Sequence, residues 1–110
     1  MDYKSILTRK LRSLFPDKEK RNEVETILDT YGIEGYEQEP LRVRLAILKV
    51  SGSDLEEIKR MTALAKQDFR DILAWAEYPR QSKKWSMPEG PNKLKLIDAD
   101  RAEYNTWLSK

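Results

Sequence analysis

Apolar and polar positions alternate with a helical period along most of the chain. From Tyr3 to Phe15, the residues Tyr3, Ile6, Leu7, Lys10, Leu11, Leu14 and Phe15 share one side of a helix, with Lys10 the one polar member. Ser5, Thr8, Arg9 and Arg12 fall on the other side. The spacing predicts an amphipathic helix that stops at Pro16. Asp17 then caps a second helix whose buried stripe is Val24, Ile27, Leu28 and Tyr31. Gly32 supplies a left-handed stop, and Ile33 is expected to fold back on Leu28 as in a Schellman motif.

An acidic connector, residues 34–39, leads to Pro40 in the first turn of a third helix. The run after it reads two ways. Leu41, Val43, Leu45 and Ile47 alternate like a strand, while Leu41, Leu45 and Leu48 also fit one helix face. Pro40 in front, Ser51-Gly52 behind and the lack of a convincing partner strand decide for helix. Ser53-Asp54-Leu55-Glu56 reads as a capping box opening the next helix. From there to Glu77, Leu55, Ile58, Thr62, Ala65, Phe69, Ile72 and Ala76 keep steps of three and four. They predict a long central helix, or two with a break between Lys66 and Asp68, ended by Pro79.

Beyond it, residues 79–92 are rich in Pro, Ser, Gly and Asn and predict a surface arm. Residues 93–97 alternate Lys with Leu and are expected to continue it in extended form, so that the arm spans 79–97. Asp98 or Asp100 then caps a terminal helix carrying Tyr104, Trp107 and Leu108. The expected fold is all-α, a single small domain of about five helices over residues 1–110, with a long central helix and an extended C-terminal arm. Its expected core is Leu7, Leu11, Leu14, Leu28, Leu45, Leu48, Leu55, Ile58, Phe69 and Ile72.

Residues 43–79, VRLAILKVSGSDLEEIKRMTALAKQDFRDILAWAEYP, resemble the central block of a group of small bacterial proteins of unknown function. The resemblance implies a bacterial source and a helical fold; no reaction, ligand or partner comes with it.

Composition narrows the chemistry. The chain has no Cys and no His, which excludes disulfides, zinc-thiolate centres, thiol nucleophiles and imidazole bases. Asp98-Ala99-Asp100 lacks the glycine and distal glutamate of a calcium loop, and helix capping explains it better. Pairs such as Glu56 with Lys59 and Glu57 with Arg60 are ordinary surface solvation of a helix. No catalytic residue, metal site or cofactor is expected, and the chain is taken as a non-enzyme. Charged residues near the start interrupt any signal-peptide core, and no apolar run approaches the ~20 residues that cross a bilayer. A cytoplasmic location without membrane contact is the expectation.

Two surfaces are candidates for function. With Leu55 placed at 0°, the main stripe of the 55–77 helix centres at about 310°, whereas Leu64 and Trp75 fall at about 180° and 200°. Met61 and Ile72 bridge the two stripes, so the helix is apolar on more than one side and needs further cover: the arm and terminal helix folding back across it with Trp85, Leu94, Leu96 and Trp107, an identical subunit, or a partner protein. The expected function is therefore a protein–protein interaction or adaptor module with an unknown protein partner, or self-association. Its binding residues are Met61, Leu64 and Trp75 together with Lys83, Lys84 and Trp85 of the arm. The alternative is a nucleic-acid accessory protein using the arm 80–95, where Arg80, Lys83, Lys84, Lys93 and Lys95 outweigh Glu89 and Trp85 offers a stacking face. A helix-turn-helix version fits poorly, because Asp68, Asp71 and Glu77 on a recognition helix would repel phosphates.

Overall fold

Alternation in two periods at once has a structural cause: the third helix is buried on nearly every side. In the computed structural model, which describes residues 2–82 and 91–110 apart from the side chains of residues 82 and 91–93, Val43, Leu45, Ala46, Ile47 and Leu48 are all fully buried. A helix that is apolar all round belongs at the centre of a bundle. Among the described residues seven helices form: α1 (Tyr3–Leu14), α2 (Lys18–Leu28), α3 (Pro40–Ser51), α4 (Leu55–Gln67), α5 (Phe69–Glu77), α6 (Pro79–Ser82) and α7 (Pro91–Ser109). The central element is α3, against which α1, α4 and α5 pack, while α2 leans on α4 and α7 on α5 and α6. No strand occurs among the described residues.

The long central helix expected over 55–77 is two helices. Asp68 breaks it in extended conformation (φ −155°, ψ 99°) and serves both ends, its N–H donating to the Leu64 carbonyl and its carboxylate accepting from the Arg70 N–H. The start of α4 also differs from the capping box. Asp54, not Ser53, is the N-cap, and its Oδ1 accepts from the N–H of Glu56 at 3.0 Å and of Glu57 at 3.4 Å. Both residues suit the position, but a full negative charge at a helix N-terminus adds dipole stabilisation that a hydroxyl lacks.

Helix α2 closes earlier than its stripe suggests, and Ile33 stands 72% exposed instead of folding onto Leu28. Arg44 of α3 reaches the carbonyls at the end of α2, donating to Leu28, which also accepts from the Tyr31 N–H, at 3.1 Å and to Tyr31 at 2.6 Å. Gly32 sits at φ +105°, where a Cβ would lie 2.7 Å from Pro40 Cβ and 3.1 Å from that guanidinium. Glycine is thus required there for both backbone and space.

Of the arm expected to be extended over 79–97, residues 79–82 form α6 and residues 91–97 lie inside α7, which Pro91 opens at its first turn; residues 83–90 lie outside the described residues. Four alternating residues are too few to outvote a helix that continues for four more turns. Asp100 consequently caps no terminal helix of its own. Buried in mid-helix, it accepts from the N–H groups of Arg80 and Gln81, both at 3.2 Å, and so caps α6.

Most of the expected core is buried, with Leu14, Leu55 and Phe69 packed against it at half-burial. Phe15, Tyr31, Ile47 and Leu108 join it. No described helix is long and apolar enough to cross a membrane.

Candidate functional site

The second apolar stripe divides between core and surface. Met61 is 5% exposed and belongs to the core, and Leu64 packs against it at half-burial. The break at Asp68 decouples α5 from α4, so their apolar faces need not line up. On α5 the buried face is Ile72, Leu73, Ala76 and Glu77. Trp75 remains outside it, 43% exposed, and Tyr78, one turn on, is 44% exposed. Lys83, Lys84 and Trp85 lie outside the described residues. Of the other arm cations, Lys95 is exposed on α7, and Arg80 is bound by Asp100 at 3.0 Å and Glu103 at 3.5 Å.

Tyr78 forms one wall of a cleft of about 190 Å³ between the end of α5 and α7, opposite Ile97, Arg101 and Asn105. Leu94, one turn before Ile97 on α7, is 63% exposed. Sequence reasoning singled out Trp75 but missed Tyr78, the C-cap residue of α5, although an aromatic three positions on and directly before Pro79 was the available signal.

Beneath this edge lies a polar interior. Arg42 of α3 grips Glu77 of α5 with both prongs of its fork, Nε to Oε2 at 2.8 Å and Nη2 to Oε1 at 2.6 Å, and reaches Glu39 with Nη1 at 2.9 Å. Donation to the Glu77 carboxylate holds the guanidinium ionisation above its usual range. Beside this pair the buried Tyr104 hydroxyl has no hydrogen-bond partner among the described residues. Its own burial, followed by the nearby Glu77 charge, pushes its ionisation upward.

A second buried carboxylate, Glu37, closes the 31–39 loop on itself. Its Oε1 accepts from three successive backbone N–H groups, those of Gly32, Ile33 and Glu34, at 3.0–3.1 Å. Its Oε2 accepts from Lys66 Nζ at 2.8 Å, and the same ammonium donates to the Thr30 carbonyl at 2.7 Å. The Lys66 bond and those backbone donors bring the carboxyl down to about 2. Successive N–H groups converging on one point form an anion nest, here filled by the chain's own side chain.

Asp100 is the third. Burial opposes its ionisation, yet the side chains of Gln81 and Arg80, together with their two backbone donors, hold its carboxyl below the usual range. The Arg80 Nη1 and Gln81 Nε2 contacts are both 3.0 Å.

These arrangements consume the chemistry they contain. A general base needs a free lone pair aimed at substrate, whereas each of these three buried carboxylates is held by cations or N–H donors of its own chain. No group of three Asp or Glu capable of holding a metal ion occurs among the described residues. What the molecule leaves facing outward at α5 is aromatic surface. Comparison of the chain with family models, with curated proteins and with solved structures gives no match.

Proposed function

We propose that this chain is a non-enzymatic interaction module that engages a protein partner through the outer edge of α5, with Trp75 and Tyr78 as anchors. The carrying observation is the 43% exposure of Trp75 on a helix whose opposite face is fully used by the core. Trp and Tyr are the residue types that dominate interface energetics, because each buries a large rigid area at little conformational cost. The exposed Asp71, one turn before Trp75, supplies a polar rim. Met61 is withdrawn from the contact set by its place in the core, and Leu64 supports Trp75 from beneath the surface only in part.

Photo-cross-linking tests this. A benzophenone amino acid in place of Trp75, in the cells that make the chain, is expected to yield a discrete protein adduct. The same probe in place of Arg60, exposed on α4, should not. Absence of a protein adduct from position 75, or identical adducts from both positions, overturns the proposal.

A further inference from the structure

The cations of this molecule are used in two different ways. Every Lys and Arg from Arg42 to Arg80 stands 2.6–3.8 Å from a carboxylate. No described Lys or Arg of α1, α2 or α7 makes an ion pair with a described carboxylate. Part of this unpaired charge is concentrated where α7 crosses α1. Arg9 donates to the Leu108 carbonyl, which ties the two helices. Three shallow depressions run together along this seam. Asn105 is shared by the one that holds Arg101 and the one that holds Arg9. Arg9 is shared in turn with the one that holds Lys4 and Arg12.

We infer that this seam is a binding surface for the phosphate backbone of nucleic acid, with Lys4, Arg9, Arg12 and Arg101 as the phosphate contacts and Asn105 as a neutral donor among them. The surface differs from the basic arm and does not depend on Trp75. Lys4 and Arg12 are separated by about 12 Å along α1. A duplex presents one charge per about 1.7 Å of its axis, so that length offers roughly seven phosphates. Two exposed acids border the seam: Asp2 caps α1 through Ser5, and Asp98 lies one turn before Arg101. Glu77, which also lines the Arg101 cleft, is neutralised by Arg42.

The apolar content of the seam selects among anionic partners. At the α1 end of the groove Ile6 is half-buried and Leu108 is buried, so no large apolar side chain projects beside Lys4, Arg9 and Arg12; the exposed Tyr78 stands only at the far, Arg101 end. An acidic peptide would need a desolvated anchor pocket, and an anionic membrane would need side chains to insert. Contact with phosphates needs neither, because the release of counterions drives it.

The experiment is fluorescence anisotropy of a labelled 20-base-pair DNA duplex titrated with the full chain between 50 and 200 mM salt. Four phosphate contacts give a slope of log K against log salt of about −3 to −4, or binding about 100-fold weaker at the upper concentration. Lys4→Gln, Arg12→Gln and Arg101→Gln, all at exposed positions, should each flatten the slope by about 1. Lys59→Gln, on the paired body, should leave it unchanged. Lack of binding at 50 mM salt overturns the inference. So does a slope indifferent to the three seam variants, loss of binding only with Lys83→Gln/Lys84→Gln, or equal affinity for polyglutamate or phosphatidylserine vesicles.

Discussion

The α3–α6 body and the α1–α7 layer carry similar side chains and treat them differently. In the body, cations are structural: Arg42 bridges α3 to α5 through Glu77, Arg44 caps α2, and Lys66 holds the 31–39 loop through Glu37. In the layer, Lys4, Arg12 and Arg101 stand exposed without a carboxylate partner among the described residues, and Lys10 is buried over an indole. The body thus pairs its charge, between elements at Arg42 and Lys66 and locally at Lys59, Arg60 and Arg70, whereas the layer keeps charge available on its surface. A composition near neutrality conceals this division, since the net charge of +2 averages a compensated interior with an uncompensated seam.

The largest effect should come from breaking a body pair. Arg42→Ala leaves the Glu77 carboxylate, 8% exposed, without its counter-charge. The expected loss is about 3 kcal/mol in urea denaturation. The double variant Arg42→Met/Glu77→Leu should recover most of it, because the cost lies in the orphaned charge and not in the missing contact. A loss no larger than that of a surface substitution would erase the distinction between body and layer.

Glu37 gives a second and smaller break, readable in pH. Its folded carboxyl lies at about 2, against about 4.3 for an unperturbed glutamate. Between those values the unfolded chain binds the extra proton, so the stabilisation is complete above about 4.3 and fades as pH falls toward 2. Glu37→Gln should have a lower urea midpoint than wild type at pH 7, and the two curves should converge as the pH approaches 2. Parallel curves across that range would show that the nest does not depend on the charge.

How far the sequence foretold this depends on whether the signal was local. The helical class, the helices α1 to α3 and most of the core follow from spacing, since amphipathic periodicity directly reports which side faces inward. The start of α4 was legible to within one residue: Ser53 to Glu56 fits the capping pattern, and the cap falls on Asp54 instead. The centrality of α3 was present in the sequence as ambiguity, because a helix buried on all sides satisfies two templates. Glu37 was invisible, and Asp100 was read as a cap but of the wrong helix. Each is an acid in polar surroundings whose partners, Lys66 at 29 residues and Arg80 at 20 residues of separation, come together only on folding. Trp75 was singled out for an apolar surplus that Met61 and Leu64 turn out to spend in the core, leaving the indole and Tyr78 as the exposed part.

Within the layer, Lys10 separates burial from pairing. The residue is 3% exposed, and its ammonium lies 4.1 Å from the centroid of the Trp107 ring without a carboxylate partner among the described residues. Desolvation, reinforced by Arg9 and Lys110, lowers its ionisation below that of an ordinary lysine. For a base lowered on folding, the unfolded chain holds more protons through the interval between the folded and unfolded values, so stability rises with pH there. Wild type should therefore gain stability relative to Lys10→Met as pH rises toward about 10. A constant difference between the two urea midpoints would mean that burial leaves the amine's ionisation untouched.

The smallest expected effect sharpens the comparison most. Lys4→Gln, Arg12→Gln and Arg101→Gln remove charges that no described residue uses, so each should change stability by less than about 0.5 kcal/mol in the same denaturation. Combining them should remain near zero or become slightly stabilising, since mutual repulsion along the seam is relieved. Set beside Arg42→Ala, the contrast is between a cation that joins elements and cations that the fold does not need. A loss of 2 kcal/mol or more from Arg12→Gln, read from the urea midpoint and slope, would place that guanidinium among the structural cations and leave α1 without a free charged face.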